Sequence, residues 1–489
     1  MSPVIRGVGF LLHVPALMAL VSIAVCAVFR EWYGTAGFLA TIVITVLPGQ
    51  GILWWTRHAS AMQRHHAMQV AALAWLAIPT AGTLPYFLSA RLVPGGAGSE
   101  GTGALLHFRH ALFESISGFT STGLSVIAHP SALPHHLQWW RSLTEWVGGI
   151  GVIVLLLTVL PANRSSLYLY FSEAREEKIL PTVKSTVRTI WALYLGYSVL
   201  AVLLLWAVGE PFWRALNHAM AALSTGGFSI TDDSLKSAPA AVQLAYVPIM
   251  LLGAISYVTH YRVVREGRWR AALWGSAEIR LFWIIVVAGF IVVAVDRLTF
   301  SGNAAWVRTL VQWISAVSTT GFSTEAVSTW MPAPLLLLVF AMVVGAMSGS
   351  SGGGLKQARV AILLRDLGWF LRSFRASAHE VKRATVDGER LSPEELGFLA
   401  RSAATLAGAY LLLWITAVLV MLHVLPTTVP VQHVFFEAAS AQSTVGLSTG
   451  ITGAGMHPVA EAVLMILMIT GRLEIFPLLL LVAWVFQRR

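Results

Sequence analysis

The apolar runs along this chain fall into two length classes. Ten of them, near 20 residues each, lie at 8–29, 36–56, 67–89, 138–160, 188–208, 243–261, 279–297, 333–363, 402–424 and 457–486. A helix needs about 20 apolar residues to cross a hydrocarbon core of about 30 Å, so each is expected to span a membrane. Four runs are shorter: Leu106 to Phe119, Phe212 to Leu223, Val307 to Val317 and Val431 to Gln442. Such lengths, about 10–14 residues, fit re-entrant half-helices better than crossings. Each half-helix leads into a related polar hexapeptide: TSTGLS from Thr120, STGGFS from Ser224, STTGFS from Ser318 and STVGLS from Ser443. The order is span, half-helix, polar loop, span, repeated four times behind two extra spans. The expected division is a two-helix extension at 1–60 and pore repeats at 61–165, 166–270, 271–385 and 386–489.

Register supports the repetition. Nine residues before the hexapeptide glycines Gly123, Gly227, Gly321 and Gly446 stand Glu114, His218, Gln312 and Glu437, all polar. Thirteen before stand His110, Arg214, Arg308 and His433; twenty-six after stand Gly149, Gly253, Met347 and Arg472. Constant offsets in four places are the mark of an internal repeat. The fold class that follows is an all-α polytopic membrane protein of about ten transmembrane helices plus four re-entrant pore helices, in four fused repeats with pseudo-fourfold symmetry.

Composition agrees. The chain is 56% hydrophobic and 11% charged, against about 25% charged in soluble domains. The net charge of +10 does not imply nucleic-acid binding, because 24 of the 33 Lys and Arg sit at Arg6 and in alternate loops: Arg57 and Arg64, Arg164–Arg188, Arg262–Arg280, Lys356–Arg401, and Arg488 with Arg489. That bias marks a cytoplasmic face. Ten spans then leave both termini cytoplasmic, in an inner-membrane, multi-pass protein. The first run, Val8 to Phe29, exceeds a signal-peptide core of about 7–15 residues and is expected to be retained. The single cysteine, Cys26, rules out an intramolecular disulfide. His65, His66, His135 and His136 form adjacent pairs without an evident ligand set, so no resident metal is expected. The spans offer no nucleophile and base, which argues against a polytopic membrane enzyme.

The hexapeptides carry the chemistry. Each joins hydroxyl residues to a glycine, which admits backbone conformations that strain other residues. Successive carbonyls can then face one side, and four loops around an axis make rings of neutral oxygens that replace a cation's hydration shell. The filter residues expected are Ser121, Thr122 and Gly123; Thr225, Gly226 and Gly227; Thr319, Thr320 and Gly321; and Thr444, Val445 and Gly446. Each half-helix would also aim its partly negative C-terminus at the cavity below. Glu114 and Glu437 are expected to anchor the filter backbone or neighbouring helices rather than bind the ion. Asp232, Asp233 and Glu325, beyond the filters, are either cation-attracting or simply solvated.

Two further features bear on passage. From Pro334 to Arg365 the third repeat runs about 32 residues, or roughly 48 Å as helix, and contains Gly349, Ser350, Ser351, Gly352, Gly353, Gly354 and Lys356. A helix break below the filter is expected there, since each interior Gly costs about 1 kcal/mol relative to Ala. It is not a phosphate-binding loop, because Gln357 follows Lys356 and no strand precedes it. Arg472 lies within the last span, where an arginine demands a wet cavity or a partner; Glu474 is a poor one, two residues away.

The four hexapeptides, with GGIGVIVLLLTVLP (Gly148 to Pro161), GSSGGGLK (Gly349 to Lys356) and GRLEIFPLL (Gly471 to Leu479), resemble the TrkH/KtrB family of potassium-uptake proteins. The resemblance covers nearly the whole chain. The two extra N-terminal spans are more similar to TrkH, and STVGLSTG is closer to KtrB. The family implies potassium as the transported ion at filter carbonyls, a loop around Gly349–Gly354 that obstructs the path and moves in gating, a pore role for Lys356 and Arg472, and no covalent cofactor. It also implies a homodimer in the lipid bilayer with a separate cytoplasmic TrkA- or KtrA-like nucleotide-binding regulatory subunit. Plant relatives with serine in the first filter favour sodium, whereas this chain has Gly123. A sodium-permeable or sodium-coupled transporter of the same fold is the alternative.

Overall fold

A computed structural model describes residues 2–475 and 477, except 61, 95–99, 152–181, 303–304, 375–383 and 387–388. The ends of the predicted spans 138–160 and 457–486, most of the basic segment Arg164–Arg188, and Arg488 and Arg489 lie outside the described residues.

Among the described residues the architecture is helical apart from one short antiparallel pair, Ala384–Val386 with Glu389–Leu391, where the all-α expectation had no strand. Six helices among the described residues are long and apolar enough to cross a membrane, or seven if the bent pair Ala240–Ala254 and Tyr257–Val264 is one span. Their outer faces keep large apolar side chains exposed, among them Leu200, Val292, Leu412 and Leu419. Exposed apolar perimeters around a buried polar interior suit lipid as the surrounding solvent.

The four half-helices run Phe108–Phe119, Phe212–Leu223, Trp306–Val317 and Val431–Gln442, each of twelve residues. These are the pore helices 1 to 4. At 1.5 Å per residue each is about 18 Å long, too short to cross. The second span of each repeat packs on the pore helix of the next: His135–Ile150 on pore helix 2, Ala240–Ala254 on pore helix 3, Pro332–Val344 on pore helix 4, and Pro458–Arg472 back on pore helix 1. The cycle is closed.

The sequence reading placed one break, at Gly349–Gly354. The helix in fact ends earlier, at Val344, and the chain resumes helix at Gln357. The helices of the other second spans end three or four residues later in register, 26 or 27 residues after the hexapeptide glycine against 23 for Val344. One stops at Ile150 before Gly151, one bends by 103° after Ala254, and one stops at Arg472. Close packing explains the glycines there. A Cβ on Gly148, Gly253 or Gly471 would overlap the carbonyl oxygen of Phe119, Leu223 or Gln442, the last helical residue of a pore helix. The predicted span 279–297 is helical but carries a π-helical turn at Ile285–Gly289, whose freed carbonyls of Ile285 and Val286 accept from Trp313 Nε1 at 3.3 and 3.1 Å. Such turns persist where a side chain takes the released backbone bonds.

A ring of backbone carbonyls as candidate ion pathway

All four pore helices end in the same way. The N–H of Thr122, Gly226, Thr320 and Val445 donates to the carbonyl of Ser117, Ala221, Ser315 and Ser440 at 2.8–2.9 Å. One residue earlier, Ser121, Thr225, Thr319 and Thr444 have φ of 53°, 56°, 56° and 50°. This is a Schellman termination, in which the left-handed residue is usually glycine. Here it is always Ser or Thr, so each helix end holds a strained non-glycine residue. Two residues later Gly123, Gly227, Gly321 and Gly446 again have positive φ, between 81° and 95°. The intervening residue does not. Alternation of hand along the strand turns successive carbonyls to one side.

The four strands meet. A Cβ on Gly123 would overlap the carbonyl oxygen of Gly226; on Gly227, that of Thr320; on Gly321, that of Val445; on Gly446, that of Thr122. Each of these glycines therefore lies against the carbonyl of the next repeat, and the fourth returns to the first. The oxygens of Thr122, Gly226, Thr320 and Val445 form a closed ring of equivalent atoms. No charged side chain is among the twelve residues expected to build it.

The residue nine positions before each glycine fixes the strand from behind. Glu114 accepts from the N–H of Val126 at 2.7 Å, His218 from Ile230 at 3.2 Å, Gln312 from Thr324 at 3.1 Å and Glu437 from Thr449 at 2.9 Å. The donor is the third residue after the glycine in every case. The expected anchoring role of Glu114 and Glu437 matches this geometry, and His218 and Gln312 share it. His218 Nε2 is the acceptor, so its proton lies on Nδ1, toward Tyr246 Oη at 2.6 Å.

Below the ring lies the segment from Gly345 to Lys356. Gly349 O accepts from Tyr257 N at 3.2 Å, Ser350 Oγ donates to Met347 O at 2.5 Å, and Ser351 N donates to Gly253 O at 3.1 Å. Tyr257 Oη and Ser351 Oγ are 2.7 Å apart. Gly353 N donates to Thr319 Oγ1 at 2.8 Å, and Gly354 lies against Gly345. Lys356 Nζ turns back to Gly352 O. Arg472 binds Ser351 O at 2.8 Å and Gly149 O at 2.9 Å, and also Gly148 O. It thus joins the third-repeat segment to the first-repeat break. Glu474, weighed as its partner, pairs instead with Arg359.

Comparison with known proteins agrees with this arrangement. The profile of the TrkH family, described as cation transport proteins, matches residues 35–487. The chain belongs to the TrkH family. Its relatives include an uncharacterized cation transporter of Methanocaldococcus jannaschii, 30% identical over 87% of this chain and 84% of that protein. The Trk system potassium uptake protein TrkH of Escherichia coli K12 is 28% identical over 97% of this chain and 95% of its own length. The crystal structure of the potassium transporter TrkH from Vibrio parahaemolyticus superposes with a TM-score of 0.83 at 25% identity, covering 98% of each chain. The chain is a multi-pass membrane protein of the TrkH fold.

Not every acidic residue proposed for cation attraction is free. Asp232 accepts from Ser131 N at 2.9 Å and meets His129 at 3.2 Å; Glu325 pairs with Arg297 at 2.6 Å. Asp233 accepts from Ser237 N at 3.0 Å. His135 and His136 flank Glu31, whose carboxylate also accepts both of their backbone N–H groups at 2.9 Å.

Several residues around this ring were not among the expected site residues. Arg141 and Glu145 lie one turn apart in the predicted span 138–160, and charge inside a span was the available signal. Arg141 Nε meets Glu114 at 3.3 Å and its Nη1 donates to Ser229 O at 2.8 Å. Glu278 accepts from Ser348 N at 2.6 Å and Ala358 N at 3.1 Å, holding both ends of the third-repeat segment.

Proposed function

We infer that this chain carries potassium across the cytoplasmic membrane, through the axis of the carbonyl ring and into the cell. The observation that supports it is the closed succession of glycine against neighbouring carbonyl, which offers a dehydrated monovalent cation neutral oxygens from four sides. The curated relatives named as potassium uptake proteins support the choice of ion. Passage requires no covalent chemistry.

The segment Gly345–Lys356, held by Arg472, is the gate in this reading, with Lys356 and Arg472 setting positive charge below the ring. The chain is divided at 1–60, 61–165, 166–270, 271–385 and 386–489, with both termini cytoplasmic. It works as a homodimer and answers to nucleotide only through a separate TrkA- or KtrA-like subunit.

The test is rubidium uptake into proteoliposomes, with potassium or sodium as competitor. Potassium competing far better than sodium supports the reading. Equal competition would replace it with the sodium-permeable alternative. No flux with or without the cytoplasmic subunit and its nucleotides would sink it.

A further inference from the structure

The residue before each filter glycine is Thr122, Gly226, Thr320 or Val445. Three repeats carry a side chain at that place and the second carries none. Backbone conformation does not require the exception, since Gly226 lacks the positive φ of its neighbours Thr225 and Gly227. Space does. A Cβ on Gly226 would overlap the carboxyl carbon of Glu145, with both carboxylate oxygens next nearest.

Glu145 belongs to the second span of the first repeat and is fully buried. Its two carboxylate oxygens accept from the N–H of Phe228 at 3.0 and 3.1 Å. Its own backbone carbonyl accepts from Ser121 Oγ at 3.0 Å. One residue therefore grips filter strand 2 with its side chain and filter strand 1 with its main chain. Arg141, one turn away, is engaged by Glu114, Ser125 and Ser229. At the same register, twenty-two residues after the glycine, the other repeats have Ile249, Val343 and Met468. Each lies on the span that packs against the next pore helix. The one carboxylate in this series stands behind the one strand with no side chain in the position before its glycine.

We propose that Glu145 is a positioning residue for ion selectivity, whose carboxyl takes the place of the missing side chain at Gly226 and holds that strand's carbonyls toward the axis. This rests on the ring being an ion filter. A buried carboxylate is costly without donors, so an apolar residue would be the cheaper filling if packing alone were needed. The Phe228 N–H supplies the reason for an acceptor, and the neutral amide of Gln would keep it.

The test compares potassium-over-sodium preference in rubidium flux for wild type, Glu145→Gln, Gly226→Thr and the double variant Glu145→Met with Gly226→Thr. The double variant copies the Met468 and Thr122 pairing by register. Thermal melting in detergent is recorded for each. Expected are near-wild-type preference for Glu145→Gln, a loss of about tenfold for Gly226→Thr, and recovery in the double variant. Should Gly226→Thr alone misfold, the double variant is judged by its potassium-over-sodium preference, and only recovery of that preference supports the proposal. Wild-type preference in Gly226→Thr would overturn it. So would a double variant no better than the single one, or a Glu145→Gln as unselective as Gly226→Thr. Unselective wild-type flux in the same assay would fail the filter reading itself, which separates the two failures.

Discussion

The backbone N–H of Gly353 donates to the side-chain oxygen of Thr319 across 2.8 Å. Filter strand 3 and the segment beneath it therefore share a hydrogen bond, and moving one releases a group of the other. Thr319→Val keeps the branched shape and removes the acceptor. A neutral hydrogen bond has a net worth of about 0.5–1.5 kcal/mol, so Thr319→Val should raise flux about two- to tenfold, and Thr319→Ser should not. Proteoliposome flux measures this; equal flux in both variants would contradict the coupling.

Arg472 is the stronger restraint. It donates to Ser351, Gly148 and Gly149 carbonyls, and hydrogen bonds to charged groups contribute about 1.5–3 kcal/mol each. Arg472→Ala should free the third-repeat segment and raise flux by about tenfold or more. Arg472→Lys, with a point charge in place of a planar fork, should fall between. Unchanged flux in Arg472→Ala, with the protein folded, would remove it from the gate.

The four anchors behind the filter predict a graded series. Gln312 accepts from Thr324 N through its one amide oxygen, whereas Glu437 accepts from Thr449 N through Oε2 at 2.9 Å and from Thr452 N through Oε1 at 3.0 Å. Glu437→Gln keeps one of these acceptors and turns an amide NH2 toward the other N–H, so it should cost part of what loss of both acceptors costs. Glu437→Leu leaves the buried N–H of Thr449 unpaired, at about 1–3 kcal/mol, and should lower both the melting temperature and potassium preference. Melting curves and competition flux on the two variants check the order; equal losses would show that charge, not acceptance, is what the position needs.

Glu31 gives a pH dependence outside the membrane. Burial pushes its carboxyl up, but hydrogen bonds from the His136 ring and the backbone N–H groups of His136 and His135 outweigh that and lower it to about 2. A carboxyl depressed in the fold adds stability that is present above its ordinary value near 4.5 and is lost as pH falls toward 2. The melting-temperature advantage of wild type over Glu31→Gln should therefore be full at pH 6 and shrink toward pH 3. A constant difference would contradict the assignment.

Much of this arrangement is legible in the sequence. Two pore helices, Phe212–Leu223 and Val431–Gln442, begin and end where their apolar runs do, and the others differ by one or two residues at the start. Short runs between polar loops leave little choice of boundary. The anchors at Glu114 and Glu437 could be read because a buried carboxyl at fixed distance from a loop needs donors. The rest depends on approach between distant segments. Nothing local marks Ser121, Thr225, Thr319 and Thr444 as left-handed, since glycine is the usual residue there. Gly148 and Gly253 are required because pore-helix carbonyls leave no room for a Cβ there, a contact between segments far apart in sequence. Gly226 reads as an ordinary filter glycine until Glu145 is seen filling the space beside it.

The most direct measurement is a crystal structure of the protein grown in rubidium, with anomalous diffraction recorded at the rubidium edge. The account predicts a peak on the pseudo-fourfold axis, level with the carbonyl oxygens of Thr122, Gly226, Thr320 and Val445, that weakens when potassium is added and persists when sodium is added instead. No axial peak at that level, or one displaced equally by sodium, would contradict it.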